Sequence, residues 1–87
     1  MARLASGKFH LTFPEHLIRE PVIYSLGKRF GLVTNIRRAN VDPEEGQGWV
    51  ILEIEGTDDA LTEAVAWLID RGVHVERLPD EDDVGDP

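Results

Sequence analysis

Two one-sided strands, each followed by an amphipathic helix, limit this chain more than any other feature. Lys8-Phe9-His10-Leu11-Thr12-Phe13 alternates strictly, with Phe9, Leu11 and Phe13 on one face. Trp49 to Glu55 repeats the pattern: Val50, Leu52 and Ile54 face one way, Ile51, Glu53 and Glu55 the other. A period of two with one apolar side is the mark of a half-buried strand. Pro14 ends the first strand because it has no N–H to give a ladder. The stretch Pro14–Glu20 reads as a loop, since Pro21 would break a helix running through it.

Pro21 suits the first helical position, where a missing N–H costs nothing. Val22, Leu26 and Phe30 then recur at four-residue spacing, and Ile23 widens the stripe. Gly31 can take the left-handed position after the helix, and Lys28 and Arg29 complement the dipole of its last turn. After the second clear strand, Gly56 gives way to Thr57, an N-cap, with Asp58 and Asp59 in the first turn. Leu61, Ala64, Val65 and Leu68 form the helical stripe, Gly72 closes it, and 73–77 is a short last strand. Between the helices, 32–41 is rich in β-formers but alternates poorly. Val33 and Ile36 fall on opposite faces by simple counting, as do Ile36 and Val41, which predicts a bulge or a functional departure. Residues 42–48 supply the hairpin loop.

The order strand, helix, strand, strand, helix, strand gives an α+β fold, the ferredoxin-like βαββαβ plait. Two right-handed crossovers and one hairpin produce a four-stranded antiparallel sheet with both helices on one face. The expected spatial order is fourth, first, third, second, so the irregular strand lies at an edge. The other face keeps His10, Thr12, Ile51, Glu53, His74 and Glu76. An edge strand carries unpaired N–H and C=O groups, and a two-fold dimer joined along it satisfies them.

At 87 residues the chain has room for one core, read as an extension over 1–7, a domain over 8–78 and a disordered acidic tail over 79–87. Charge divides unevenly: residues 1–41 hold seven bases and two acids, 42–87 two bases and fifteen acids. Five of those acids lie in the last eight residues, where self-repulsion and a single apolar side chain, Val84, argue against folding. A net charge of −8 argues against a nucleic-acid partner, although Lys28-Arg29 and Arg37-Arg38 are candidates for a local basic patch. The longest apolar run, 64–69, is far short of the ~20 residues that cross a bilayer, and no export segment is visible. A cytoplasmic protein without membrane insertion is expected.

With no Cys, disulfides, iron–sulfur clusters and thiolate zinc sites are excluded. Walker and dinucleotide glycine motifs are missing, as is GxSxG. Exposed aromatics on a basic sheet, the mark of RNA-recognition plaits, are also missing. His10 and His74 share the outward face with Glu76, but no close-spaced ligand pair supports a metal; no cofactor and no metal are expected. Trp49 and Trp67 read first as packing residues.

Several stretches in order resemble the NIL domain: Phe13-Pro14, Glu20-Pro21-Val22-Ile23, Phe30-Gly31, Asn35-Ile36, the run from Gly48 to Gly56, Ala64 to Leu68, and Gly72-Val73 to Val75-Glu76. The resemblance covers about Phe9 to Leu78. It implies the ACT-like form of the same plait, known chiefly as the C-terminal regulatory module of methionine-importer ABC transporter ATPases. There the domains pair, bind methionine between them and restrain transport; other members accompany ferredoxin modules of sulfur metabolism. The family takes its name from an Asn-Ile-Leu run on the second strand, of which Asn35 and Ile36 match while Arg37 replaces the aliphatic residue.

The resemblance implies a non-enzymatic domain that binds a methionine-like amino acid at a homodimer interface. Its effector would be a transporter ATPase or a sulfur-metabolism protein acting in trans. Asn35 and Ile36 would line the pocket, Arg37 would orient a carboxylate, and Ile18, Pro21 and Val22 would shape the loop side. A strand-borne amide both donates and accepts, and helix N-terminal N–H groups receive a carboxylate, so the chemistry is compatible. The residues alone leave two alternatives open. One is an interaction or dimerisation module without a metabolite. The other is an acylphosphatase-like enzyme, for which Arg19 and Asn35 are a poor match.

Overall fold

The computed structural model describes residues 4–18, 20–42, 44 and 46–79. Its elements are β1 (Leu4–Pro14), a short 3-10 helix (Glu15–Leu17), α1 (Val22–Phe30), β2 (Val33–Asp42), β3 (Gln47–Thr57), α2 (Asp58–Asp70) and β4 (His74–Leu78). All pairings are antiparallel and the strand order is β2-β3-β1-β4, the ferredoxin-like plait expected from the alternation. Phe9, Leu11 and Phe13 from β1 and Val50, Leu52 and Ile54 from β3 are buried against Val22 and Leu26 of α1 and Leu61, Ala64 and Leu68 of α2. The one-sided strands therefore carry the floor of the core and the helices its roof. Burial of each such side chain stabilises by about 1.5–3 kcal/mol relative to exposure.

Local signals in the sequence act where their chemistry says they should. Gly31 takes φ 68° after α1, and the Leu32 N–H donates to the Gly27 carbonyl at 3.1 Å. Thr57 caps α2, its hydroxyl oxygen accepting from the Ala60 N–H at 3.1 Å. Pro21 is displaced by one position: it is the residue before the first helical turn rather than in it. The expected loop after Pro14 contains the 3-10 turn, which brings Leu17 into the core.

The first strand begins at Leu4, so residues 4–7, expected to lie in an extension, pair with Ile54–Thr57 of β3. Their sequence does not alternate, and a long neighbouring strand holds them instead. Gly7 is needed there, because a Cβ would stand 2.8 Å from the Phe9 ring. The acidic run at 80–87 and residues 1–3 lie outside the described residues.

The irregular strand is an edge with a bulge between Ile36 and Arg38. The extra residue resets the alternation. Val33, Asn35, Arg38 and Asn40 pair with Glu55, Glu53, Ile51 and Trp49 on the open face, while Ile36 and Val41 both pair on the helix side. The failed parity count between Ile36 and Val41 was the trace of that bulge.

Candidate functional site

An apolar concavity lies where the 3-10 turn and the start of α1 lean over the hairpin end of β2 and β3. It has a volume of about 210 Å³, with Leu17, Ile18, Pro21 and Val22 on one side and Val41, Gly48 and Val50 on the other. Glu20 and Tyr24 supply the polar groups of its rim. Ligand pockets usually span ~300–1,000 Å³, so this groove suits a short aliphatic side chain and is shallow for a whole larger ligand. Gly48 keeps its floor open: a Cβ there would stand 3.4 Å from the Val41 side chain. At the start of α1 the Val22 N–H donates to the Glu20 carbonyl at 2.8 Å and the Ser25 N–H to the Pro21 carbonyl at 2.9 Å.

Of the six residues expected to form a site, Ile18, Pro21 and Val22 line this groove together. Asn35, Ile36 and Arg37 do not line it. Asn35 is exposed on the open face opposite Glu53, and Ile36 lies on the helix side opposite Leu52. Arg37 occupies the bulge, and its Nη1 is 3.5 Å from Glu53 Oε1, with both side chains substantially exposed. Such a pair is worth ~0.2–1 kcal/mol. Val41, Gly48 and Tyr24 belong to the groove without having been singled out beforehand. The signal for Val41 was its odd parity relative to Ile36.

β2 leaves apolar side chains uncovered: Val33 is 57%, Ile36 58% and Val41 50% exposed. Val41 is shared between this exposed edge and the groove. A molecule added along β2 would therefore also wall the groove.

The open face of the sheet has a different character. His10 stacks on Trp49, with ring centroids 5.4 Å apart and an interplanar angle of 21°. His74 and Glu76 are exposed beside it, and no group of three or more ligating side chains forms a metal site among the described residues. Lys8, also on this face, is only 6% exposed, flanked across the strands by Glu53 and Leu78. Neither tryptophan is a fully buried core residue. Trp49 covers the open face, while Trp67 packs its edge against Phe30 at the margin of the core. Arg19, considered for acyl-phosphate chemistry, lies outside the described residues. No helix among the described residues is long and apolar enough to cross a membrane.

Comparison with known proteins places these features in a family. The family model of the NIL domain matches residues 8–77. Over 68 residues the chain is 35% identical to the methionine import ATP-binding protein MetN of Haemophilus ducreyi, covering 76% of this chain and 20% of that protein. The MetN of Rhodospirillum rubrum is 32% identical over 80 residues, covering 87% of this chain and 23% of the relative. The chain thus spans about a fifth of the length of the curated relatives it matches. Among solved structures, the C-terminal domain of an ABC transporter ATP-binding protein from Enterococcus faecalis superimposes with a TM-score of 0.74. That likeness covers 86% of each chain at 18% identity, and it is a likeness of fold. With the family model spanning nearly all of the plait, the chain belongs to the NIL domain family.

Proposed function

We propose that this chain is a non-enzymatic regulatory module that binds methionine or a related sulfur amino acid where two copies meet along β2. The observation that carries the reading is the apolar groove that opens onto an uncovered edge strand, with Val41 common to both. The kinship with methionine import ATP-binding proteins supplies the ligand class and suggests a transporter ATPase as the partner in trans.

A two-fold axis relating antiparallel edge strands lays the start of one β2 beside the end of the other. A second copy's Ile36, on the helix side like Val41, would then approach Val41 of the first, closing a groove that one copy leaves shallow. In that arrangement Ile18, Pro21 and Val22 of one copy and Ile36 of the other enclose the thioether, while Asn35 and Arg37 stay with Glu53 on the open face of the seam. Ligand at the seam stabilises one arrangement of the pair, and that differential binding is the regulatory signal.

The test is a thermal-shift series with methionine, homocysteine and S-adenosylmethionine. At ~100 times Kd, linkage adds about 2.7 kcal/mol, and Tm rises by on the order of ten degrees for a domain this small. Val41→Lys should lose the shift while keeping its own baseline Tm. No shift with any of the three at millimolar levels overturns the ligand assignment. The exposed apolar side chains of β2 by themselves favour a second reading, a dimerisation module without a metabolite. It predicts self-association with no thermal response.

A further inference from the structure

A second cleft, of about 360 Å³, separates α1 from the end of α2. Its size falls within the ~300–1,000 Å³ usual for small-molecule sites. Its lining is basic and aromatic where the chain as a whole is acidic. Four-residue spacing on α1 puts Tyr24 beside Lys28, whose Nζ donates to the Tyr24 hydroxyl oxygen at 3.3 Å. That hydroxyl keeps its own hydrogen for another acceptor. The same spacing at the end of α2 lays the Arg71 guanidinium 5.0 Å from the Trp67 ring centroid. Arg29 reaches over from α1 to the same ring, at 5.9 Å. One indole thus gathers guanidinium groups carried by two different parts of the chain.

Arg71 is only half paired. Its Nη2 donates to Glu20 Oε1 at 2.7 Å, while its Nε is buried and has no hydrogen-bond partner among the described residues. A guanidinium offers these two nitrogens as a fork that two oxygens of one anion fill together. Buried donors are seldom left without an acceptor, so the half-filled fork points to an oxyanion from outside the chain. The Arg71 side chain is 36% exposed, within reach of a solute in the cleft. Among the described residues the lining holds three cations, Lys28, Arg29 and Arg71, against one acid, Glu20. That surplus suits a phosphate monoester, with about −1.5 to −2 charges near pH 7 and three terminal oxygens, better than a single carboxylate.

We infer that the cleft between α1 and the end of α2 binds the phosphate group of a small phosphate monoester. Arg71, Arg29 and Lys28 hold it, and the Tyr24 hydroxyl is a further donor. Trp67 is a positioning residue that keeps the two guanidinium groups at the cleft. Glu20, Pro21, Val22 and Tyr24 wall both this cleft and the apolar groove, yet the two cavities call for different chemistry. The phosphate site stands whether or not the groove takes an amino acid.

The experiment is a nitrogen–proton NMR titration of the full chain with inorganic phosphate, ribose 5-phosphate and acetate at constant ionic strength. The Trp67 indole N–H and the Arg71 Nε–H should move saturably with both phosphates, while the Trp49 indole on the open face stays in place. Acetate should bind at least roughly tenfold more weakly. Arg71→Lys keeps the charge and removes the fork, and should weaken ribose 5-phosphate roughly tenfold. Lys28→Gln combined with Arg29→Gln should do the same; both side chains are exposed, so this variant tests the site even if Arg71→Lys does not fold. No saturable movement with ribose 5-phosphate at ~10 mM, well above a Kd of ~1 mM, would overturn the proposal. Acetate binding as tightly, or undiminished affinity in a folded variant, would overturn it too. Equal displacement of the Trp49 signal would reduce the effect to a general ionic one and likewise overturn it.

Discussion

The two edges of the sheet meet the same problem, unpaired backbone groups, in opposite ways. β4 is five residues long, and α2 packs against it. Its Arg77 lies 5.4 Å from the Phe9 ring centroid and donates from Nη2 to the Ser6 carbonyl at 3.0 Å, tying the strand to β1. Short, charged edges discourage further pairing. β2 is ten residues long, and its Val33, Ile36 and Val41 are half or more exposed. Arg37 and Arg38 interrupt it without shortening it. The difference teaches that one edge is short and charged and the other long and apolar, so the two differ in what they offer a further strand.

Substitutions that strain one edge at a time test this contrast. Gly56→Ala has the largest expected effect, because its Cβ would collide with the Leu32 side chain that anchors the entry to β2. Overpacking of this kind costs ~1–3 kcal/mol, and each kcal/mol lowers Tm by roughly 4–8 degrees in a domain of this size. Thermal denaturation should show that loss, and an unchanged Tm would mean that Leu32 is not fixed by this contact. Arg77→Ala on the other edge removes one carbonyl hydrogen bond and one cation–π contact, an expected loss of about 0.5–1.5 kcal/mol by urea denaturation. A larger loss would mean that β4 depends on Arg77 for its pairing and is not self-sufficient. The smallest change in stability, within ~0.5 kcal/mol, is expected for Ile36→Lys combined with Val41→Lys, since both side chains are already exposed. That pair should abolish self-association in light scattering, while His74→Lys combined with Glu76→Lys on β4 should leave it intact. Equal behaviour of the two double variants would erase the distinction between the edges.

The strands β1 and β3 were legible because one face of each is buried, and period-two alternation records that directly. Helix α2 was legible because Thr57 and the stripe from Leu61 to Leu68 agree with each other. The start of β1 was not, since Leu4 to Gly7 owe their strand conformation to pairing with β3 rather than to their own pattern. The bulge in β2 announced itself as a broken count, but its position required the register. At the groove, Ile18, Pro21 and Val22 lie within five residues of one another at the entry to α1 and could be grouped by proximity along the chain. Val41 and Gly48 come from the far side of the molecule in sequence, and only the β2–β3 hairpin beneath α1 brings them there.

By itself the sequence determined which residues face the core, where the helices begin and end, and the order of strands that two crossovers and a hairpin allow. These follow from local periodicity, from caps, and from the handedness of connections. Tertiary structure alone decided that Asn35 stands apart from the groove while Val41 joins it. It also gathered Arg71 to Lys28 and Arg29 around Trp67. Those arrangements depend on distances between residues remote in the chain, which packing sets and no local pattern encodes.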